Sequence, residues 1–117
     1  MDALFRDTAA AAEAARRWLD GPGRLWREGL GPEAGAAAAL EHLGLHTRLM
    51  QVMTWLLHPA HHGAPAGLLP FDHSPPAPLP ADHPIRAVEG ATLADASRAL
   101  HARAAALAAS HPVKEPE

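Results

Sequence analysis

The sequence predicts an all-α protein: an antiparallel three-helix bundle with a long Pro-rich loop between helices 2 and 3. Three observations predict it. Apolar residues recur at helical spacing in three separate stretches. Proline and glycine mark the ends of those stretches. The only long segment without a period, 59–91, is also the one densest in proline. A chain of 117 residues is one domain's worth, so 1–117 is read as a single three-helix domain.

The first helix is expected near 2–20. Leu4, Phe5, Thr8, Ala11, Ala12, Ala15, Trp18 and Leu19 share one face, and Arg6, Glu13, Arg16, Arg17 and Asp20 the other. "GPG" at 21–23 ends it, since glycine relaxes the backbone and proline cannot continue a helix. The following loop carries Trp26 and Leu30, expected as lids over the end of the bundle.

The second helix, near 32–58, opens on Pro32 and Glu33, a start signal with a carboxylate in the first turn. Pro59 stops it. Projected at about 100° per residue, Leu45, Leu49, Val52 and Leu56 form one apolar stripe. Leu43, Met50, Met53 and Leu57 form a second beside it. Two stripes imply two packing partners, as for the central helix of a bundle. The expected core is Leu45, Leu49, Val52, Met53 and Leu56, with Leu93, Leu100 and Leu107 from the last helix. A remaining polar face carries Gly44, Thr47, Arg48, Gln51, Thr54 and Trp55. It reads either as solvated or as the place where another helix, of this chain or of a second copy, crosses. Trp and Arg favour a partner or dimer interface.

The loop 59–91 is expected to be irregular and partly extended, tacked down by Leu68, Leu69, Phe71 and Leu79, with a short turn after Pro84. The third helix, near 92–110, repeats leucine every seven residues at 93, 100 and 107. Thr92 and Asp95 have the spacing of a capping box. The tail, 111–117, is expected to fray.

Composition narrows function. The net charge of −3 and a pI of about 6.3 leave no basic field for nucleic acid. There is no cysteine, hence no disulfide framework and no thiolate metal site. No apolar run approaches a membrane span and the start lacks signal-peptide features, so a cytoplasmic protein is expected. His42 and His46, four residues apart, and the cluster His58, His61, His62 suggest a small metal- or ligand-binding module as the alternative function. No H-E-x-x-H, G-x-S-x-G, S-x-x-K or phosphate-binding glycine loop is present. The expectation is a non-enzyme with no catalytic residue, metal or cofactor. Ser97 reads as a small packing residue. Asp95, Arg98 and Arg103 read as solvated charges, or as partners of Glu41 and Arg48 across a helix pair.

Three stretches carry a resemblance. "TRLMQVMTWLL" (47–57) resembles the core motif of the regulator-of-CtrA-degradation (RcdA) family of alphaproteobacteria. "ARRWLDGPGR" (15–24) resembles the end of that family's first helix, and "LADASRALHARAAAL" (93–107) its last, with Ser97, Leu100 and Arg103 at matching spacing. The resemblance implies a three-helix bundle that forms a homodimer. It implies an adaptor for the ClpXP protease in cell-cycle-timed proteolysis, docking on a protease primed by a CpdR-like response regulator and carrying cargo proteins.

Overall fold

The structure is a computed structural model that describes residues 1–62 and 67–113. Among these residues there are four helices: α1 (Asp2–Asp20), α2 (Pro22–Glu28), α3 (Pro32–Leu56) and α4 (Gly90–Ser110). Short 3-10 turns stand at Pro59–His61 and Pro84–Ala87. Among the described residues there is no strand, only a backbone bridge between Leu68 and Pro112. The all-α expectation holds. No described helix is long and apolar enough to cross a membrane.

Where the sequence reading has a loop after "GPG", the chain starts a new helix. Pro22 occupies the first turn of α2, where its missing N–H costs nothing. The same proline that cannot continue α1 therefore opens α2. The bend is held by Trp18, whose indole lies against Gly23 and Gly90. A Cβ on Gly23 would come within 2.6 Å of that ring, and one on Gly90 would overlap it. Trp18 also meets the His42 ring edge-on at 5.2 Å, so one side chain joins α1, α2, α3 and the start of α4.

α3 ends two residues before the expected boundary, and α4 begins two residues earlier than expected. The Thr92–Asp95 capping box does not form. The carboxylate of Asp95 instead accepts from Arg86 at 2.8 Å, and α4 has no side-chain cap at Glu89.

α1, α3 and α4 each pack against the other two. Near its start α1 lies beside the late part of α4, where Arg103 donates to Asp7 at 2.7 Å. The α1 start also lies beside the end of α3, at Phe5 and Leu57. Glu41 pairs with Arg98 at 2.8 Å and Gln51 with His101 at 3.0 Å, so α3 and α4 advance together. α1 is thus antiparallel to both, while α3 and α4 run in the same direction. The expectation of antiparallel successive neighbours is corrected here. A same-direction pair needs a connection that returns the full length of the helix. The 21 residues of α4 rise about 32 Å, and the eleven steps from Leu68 to Leu79 cover about 34 Å in an extended proline-rich form.

That return segment lies along the bundle as a strap. Leu79 is buried, and Leu68 and Phe71 are half-buried. Its carbonyls are taken by side chains: Leu69 O by Trp55 Nε1 at 3.1 Å, Ala77 O by Arg98 at 2.8 Å, Leu79 O by Arg86 at 2.9 Å. A stretch with few ladder partners of its own is thereby satisfied. The parts of the loop and tail expectations at 63–66 and 114–117 lie outside the described residues.

The core gathers Leu4, Ala15 and Trp18 of α1, Leu45, Leu49, Val52 and Leu56 of α3, and Ala94, Leu100, Ala104 and Ala108 of α4, with Leu79 and Ile85 from the connection. Met53, Leu93 and Leu107 are half-buried at its edge. Phe5, grouped with the buried face of the first helix on spacing, is exposed.

Candidate functional site

α3 is built inside out. Its only charged residues after Glu33 are Glu41 and Arg48, and both are buried. Glu41 sits between two guanidiniums. Arg98 engages it with two nitrogens, Nη1 to Oε2 at 2.9 Å and Nη2 to Oε1 at 2.8 Å. Arg48 donates to Oε2 from the other side. Arg48 Nε also donates to Ser97 Oγ at 2.8 Å, and Ser97 Oγ donates to Ala94 O at 2.8 Å. Burial alone would raise the Glu41 pKa, but the Arg98 and Arg48 bonds and charges outweigh it and hold the carboxyl below its ordinary value. Burial draws the Arg48 pKa down, against the pull of Glu41.

Each residue of the expected interface has a definite place. Arg48 and Trp55 are buried and Gln51 half-buried, under α4 and the strap of the same chain. Thr47 is exposed. Gly44 makes room for a side chain rather than for a second backbone: a Cβ there would stand 2.8 Å from Arg48 Nη1. The cause is local, since a long helical side chain folds back over the turn preceding it. Of the two crossings left open by the sequence, the one made by the chain's own last helix is present. As an open partner surface this set is therefore corrected: Arg48, Gln51 and Trp55 are already covered.

Beside the ion cluster lies a ring of aromatics and histidines. Phe71 of the strap packs edge-on to Trp55 at 5.7 Å and to His101 at 4.8 Å. His101 is almost wholly buried, and its pKa is lowered first by burial and then by His73 and Arg48. His42 is buried between Trp18 and Trp26, with Arg27 at 3.2 Å from Nδ1 and no partner for Nε2. Burial, then Arg27, lowers its pKa. His46, one turn on, is exposed, so the pair does not converge.

His58 and His61 have ring nitrogens already engaged. His58 Nδ1 accepts from Ala60 N at 3.1 Å, and His61 Nε2 from Leu69 N at 3.0 Å. His83 Nδ1 accepts from Ile85 N at 3.1 Å in the same way as His58. Both precede a proline, and both cap a 3-10 turn. The His-Pro dipeptide was the available signal for these caps. Among the described residues no group of three His, Asp or Glu is arranged to hold a metal ion. Of the charges on the last helix, Arg98 meets Glu41, Asp95 meets Arg86 and Arg103 meets Asp7.

With its charges turned in, α3 turns large apolar side chains out. Leu40 is 71% exposed, Leu43 64%, Leu57 54% and Met50 46%. With Ala36, Thr47 and Thr54 they stand at 36, 40, 43, 47, 50, 54 and 57, alternating steps of four and three. That is the a/d spacing of a coiled-coil seam. Leu43, Met50 and Leu57, expected with Met53 as a stripe packed on a neighbour in the bundle, instead face outward beside Leu40 and beside Thr47 and Thr54 of the expected polar face, and Met53 is half-buried. Grooves of about 300 Å³, by Leu19 and Met50, and about 270 Å³, by Phe5 and Leu57, continue the apolar surface onto α1.

A family model described as a protein of unknown function, DUF1465, matches residues 1–63. No curated protein and no solved structure matches the chain. The matched segment holds α1, α2 and the whole of α3 with its outward seam, while the strap and α4 lie beyond it. Over more than half its length, then, the chain belongs to the DUF1465 family.

Proposed function

We propose that this protein is a non-enzymatic adaptor, of the kind its resemblance to the regulator-of-CtrA-degradation family implies. In this reading α1, α3 and α4 serve as a three-helix bundle that presents surface rather than chemistry. Its partners are ClpXP primed by a CpdR-like response regulator, cargo proteins and a second copy of itself, in the cytoplasm. The observation that carries the reading is the outward face of α3. Between Glu33 and Leu57 no charge reaches that face, while three leucines and a methionine do. A long apolar seam depleted of charge is what distinguishes the centre of a protein interface from ordinary surface. The metal-binding alternative has no comparable support: His42 is buried while His46 is exposed, and among the described residues no three His, Asp or Glu converge on one point.

The test is degradation of candidate cargo by ClpXP and the response regulator, with and without this protein. Faster turnover that depends on Leu43 and Met50 is the expected result. Turnover unchanged by the protein across a broad set of cargo would refute the adaptor reading.

A further inference from the structure

We infer that the middle of the strap, Leu69–His73, is a latch that mild acid opens by adding protons to His61 and His101, while the helices beneath stay packed. The inference stands apart from the adaptor reading. Both ends of the strap are held by bonds that do not titrate in that range. Leu68 N donates to the His111 carbonyl at 2.6 Å, and Arg98 and Arg86 donate to Ala77 O and Leu79 O. Between those anchors the strap lies on histidine. Its Leu69 N–H donates to His61 Nε2 at 3.0 Å, the Leu69 carbonyl accepts from Trp55 Nε1 at 3.1 Å, and Phe71 stands edge-on to His101 at 4.8 Å. Prolines at 70, 75, 76, 78 and 80 leave the strap few other N–H groups with which to hold on.

A backbone amide can only donate, so His61 Nε2 is bare and the ring neutral, with its proton on Nδ1. That Nδ1 is buried without a hydrogen-bond partner. A second proton would set two donors against each other across the Leu69 contact. It would also stand beside His58 and His62, the titratable groups of the same turn, while from α3 the ring meets Trp55 at 4.9 Å. His101 is 2% exposed. Its Nε2 pairs with Gln51 Oε1 at 3.0 Å. The groups that face it are His73 of the strap, ring centroids 6.3 Å apart, and Arg48 of α3. Among the described residues neither histidine is paired with a carboxylate, so nothing balances a proton gained on either.

Burial is the first cause that lowers both pKa values; the Trp55 backbone opposes it at His61, and His58 and His62 add to it. Lifting the strap relieves the burial and takes His73 away from His101. The closed strap therefore binds fewer protons than the open one. Its hold is complete above about pH 6.5 and weakens below it, up to about tenfold per pH unit for each histidine. Opening uncovers Trp55, 7% exposed when the strap is closed, and the alanine face of α4 at Ala105 and Ala108.

Hydrogen exchange read by nuclear magnetic resonance follows the latch at the Leu69 amide and the Trp55 indole N–H. Rates are taken at about pH 7.5 and about pH 5.5, each referred to the intrinsic rate at that pH. The opening constant of both groups should rise at least ~10-fold on acidification, against a limit of about 100-fold for two histidines over the unit below pH 6.5. At both pH values it should exceed that of the Val52 amide in the core, and the helical circular dichroism should be kept in acid. One common opening constant for Leu69 and Val52 would mean global unfolding and would overturn the latch. An opening constant that ignores pH would overturn it too. The double variant His61→Gln/His101→Gln replaces each ring by a group that does not titrate and that, at 61, can still accept from Leu69. Its opening constant should change less than ~2-fold over the same range. A change as large as the parent's would refute the assignment to these two residues. Should that variant fail to fold, the parent protein decides. The ring signals of His61 and His101 should titrate below about pH 6.5, with the Leu69 and Trp55 signals moving at the same midpoints. Strap signals that move while both rings stay neutral would overturn the proposal.

Discussion

Glu41→Gln is the sharpest perturbation of this fold. The substitution keeps the shape of the side chain and removes its charge. Three donors now converge on the two carboxylate oxygens: two nitrogens of Arg98 and one of Arg48. A glutamine offers one acceptor oxygen, and its amide would point donors at a guanidinium. Two cations would be left with no counter-charge, one of them on a side chain only 9% exposed. Removing one partner of a buried ion pair costs about 3–5 kcal/mol, against a total stability of about 5–15 kcal/mol. At roughly 3–6 °C per kcal/mol for a chain of this size, the midpoint should fall by at least ~10 °C. Arg98→Gln is the control. It leaves Glu41 paired with Arg48, a neutral couple, and removes the more exposed of the two guanidiniums, so its cost should be clearly smaller. Urea melts followed by circular dichroism at neutral pH measure both. A Glu41→Gln cost under about 1 kcal/mol, or one no larger than that of Arg98→Gln, would refute the claim that this carboxylate holds α4 against α3.

Three further outcomes are expected. Leu49→Ala should cost about 2–5 kcal/mol by leaving a cavity between helices, measured by the same melts; under ~1 kcal/mol would displace Leu49 from the core. Gly90→Ala should cost roughly 1–3 kcal/mol, because its Cβ would run into the Trp18 ring, and the combination with Trp18→Leu should recover much of the loss. Stability should fall as pH drops below about 6.5. The pKa values of His42 and His101 are lowered in the fold, so below the unfolded value the unfolded chain binds protons that the native one excludes. Each contributes a slope of up to about 1.4 kcal/mol per pH unit until its folded pKa is passed, and His101→Gln should flatten the profile between pH 7 and 5.

Helix existence was legible in the sequence because it is a local property. Proline fixes φ and removes a donor wherever it stands, so Pro32 and Pro59 bound α3 without reference to anything distant. The two apolar stripes of α3 were legible for the same reason: periodicity is written in consecutive residues. Pro22 shows the limit even at short range. A proline after a helix is equally a proline at the start of the next, and only Trp18 packed between Gly23 and Gly90 decides that α2 forms. Which stripe faces inward is a different kind of question. Glu41, Arg48 and Trp55 look like surface residues until Arg98, 57 positions from Glu41, and Leu69 of the strap supply their partners. Those partners make the polar face of α3 the buried one and leave Leu40, Leu43, Met50 and Leu57 outside. The direction of α4 was likewise not in its own residues. It follows from the strap, extended and long enough to return the length of the helix before α4 begins. Periodicity counts how many faces a helix has; tertiary pairing decides which of them meets water, because the charge that neutralises a buried carboxylate comes from another part of the chain.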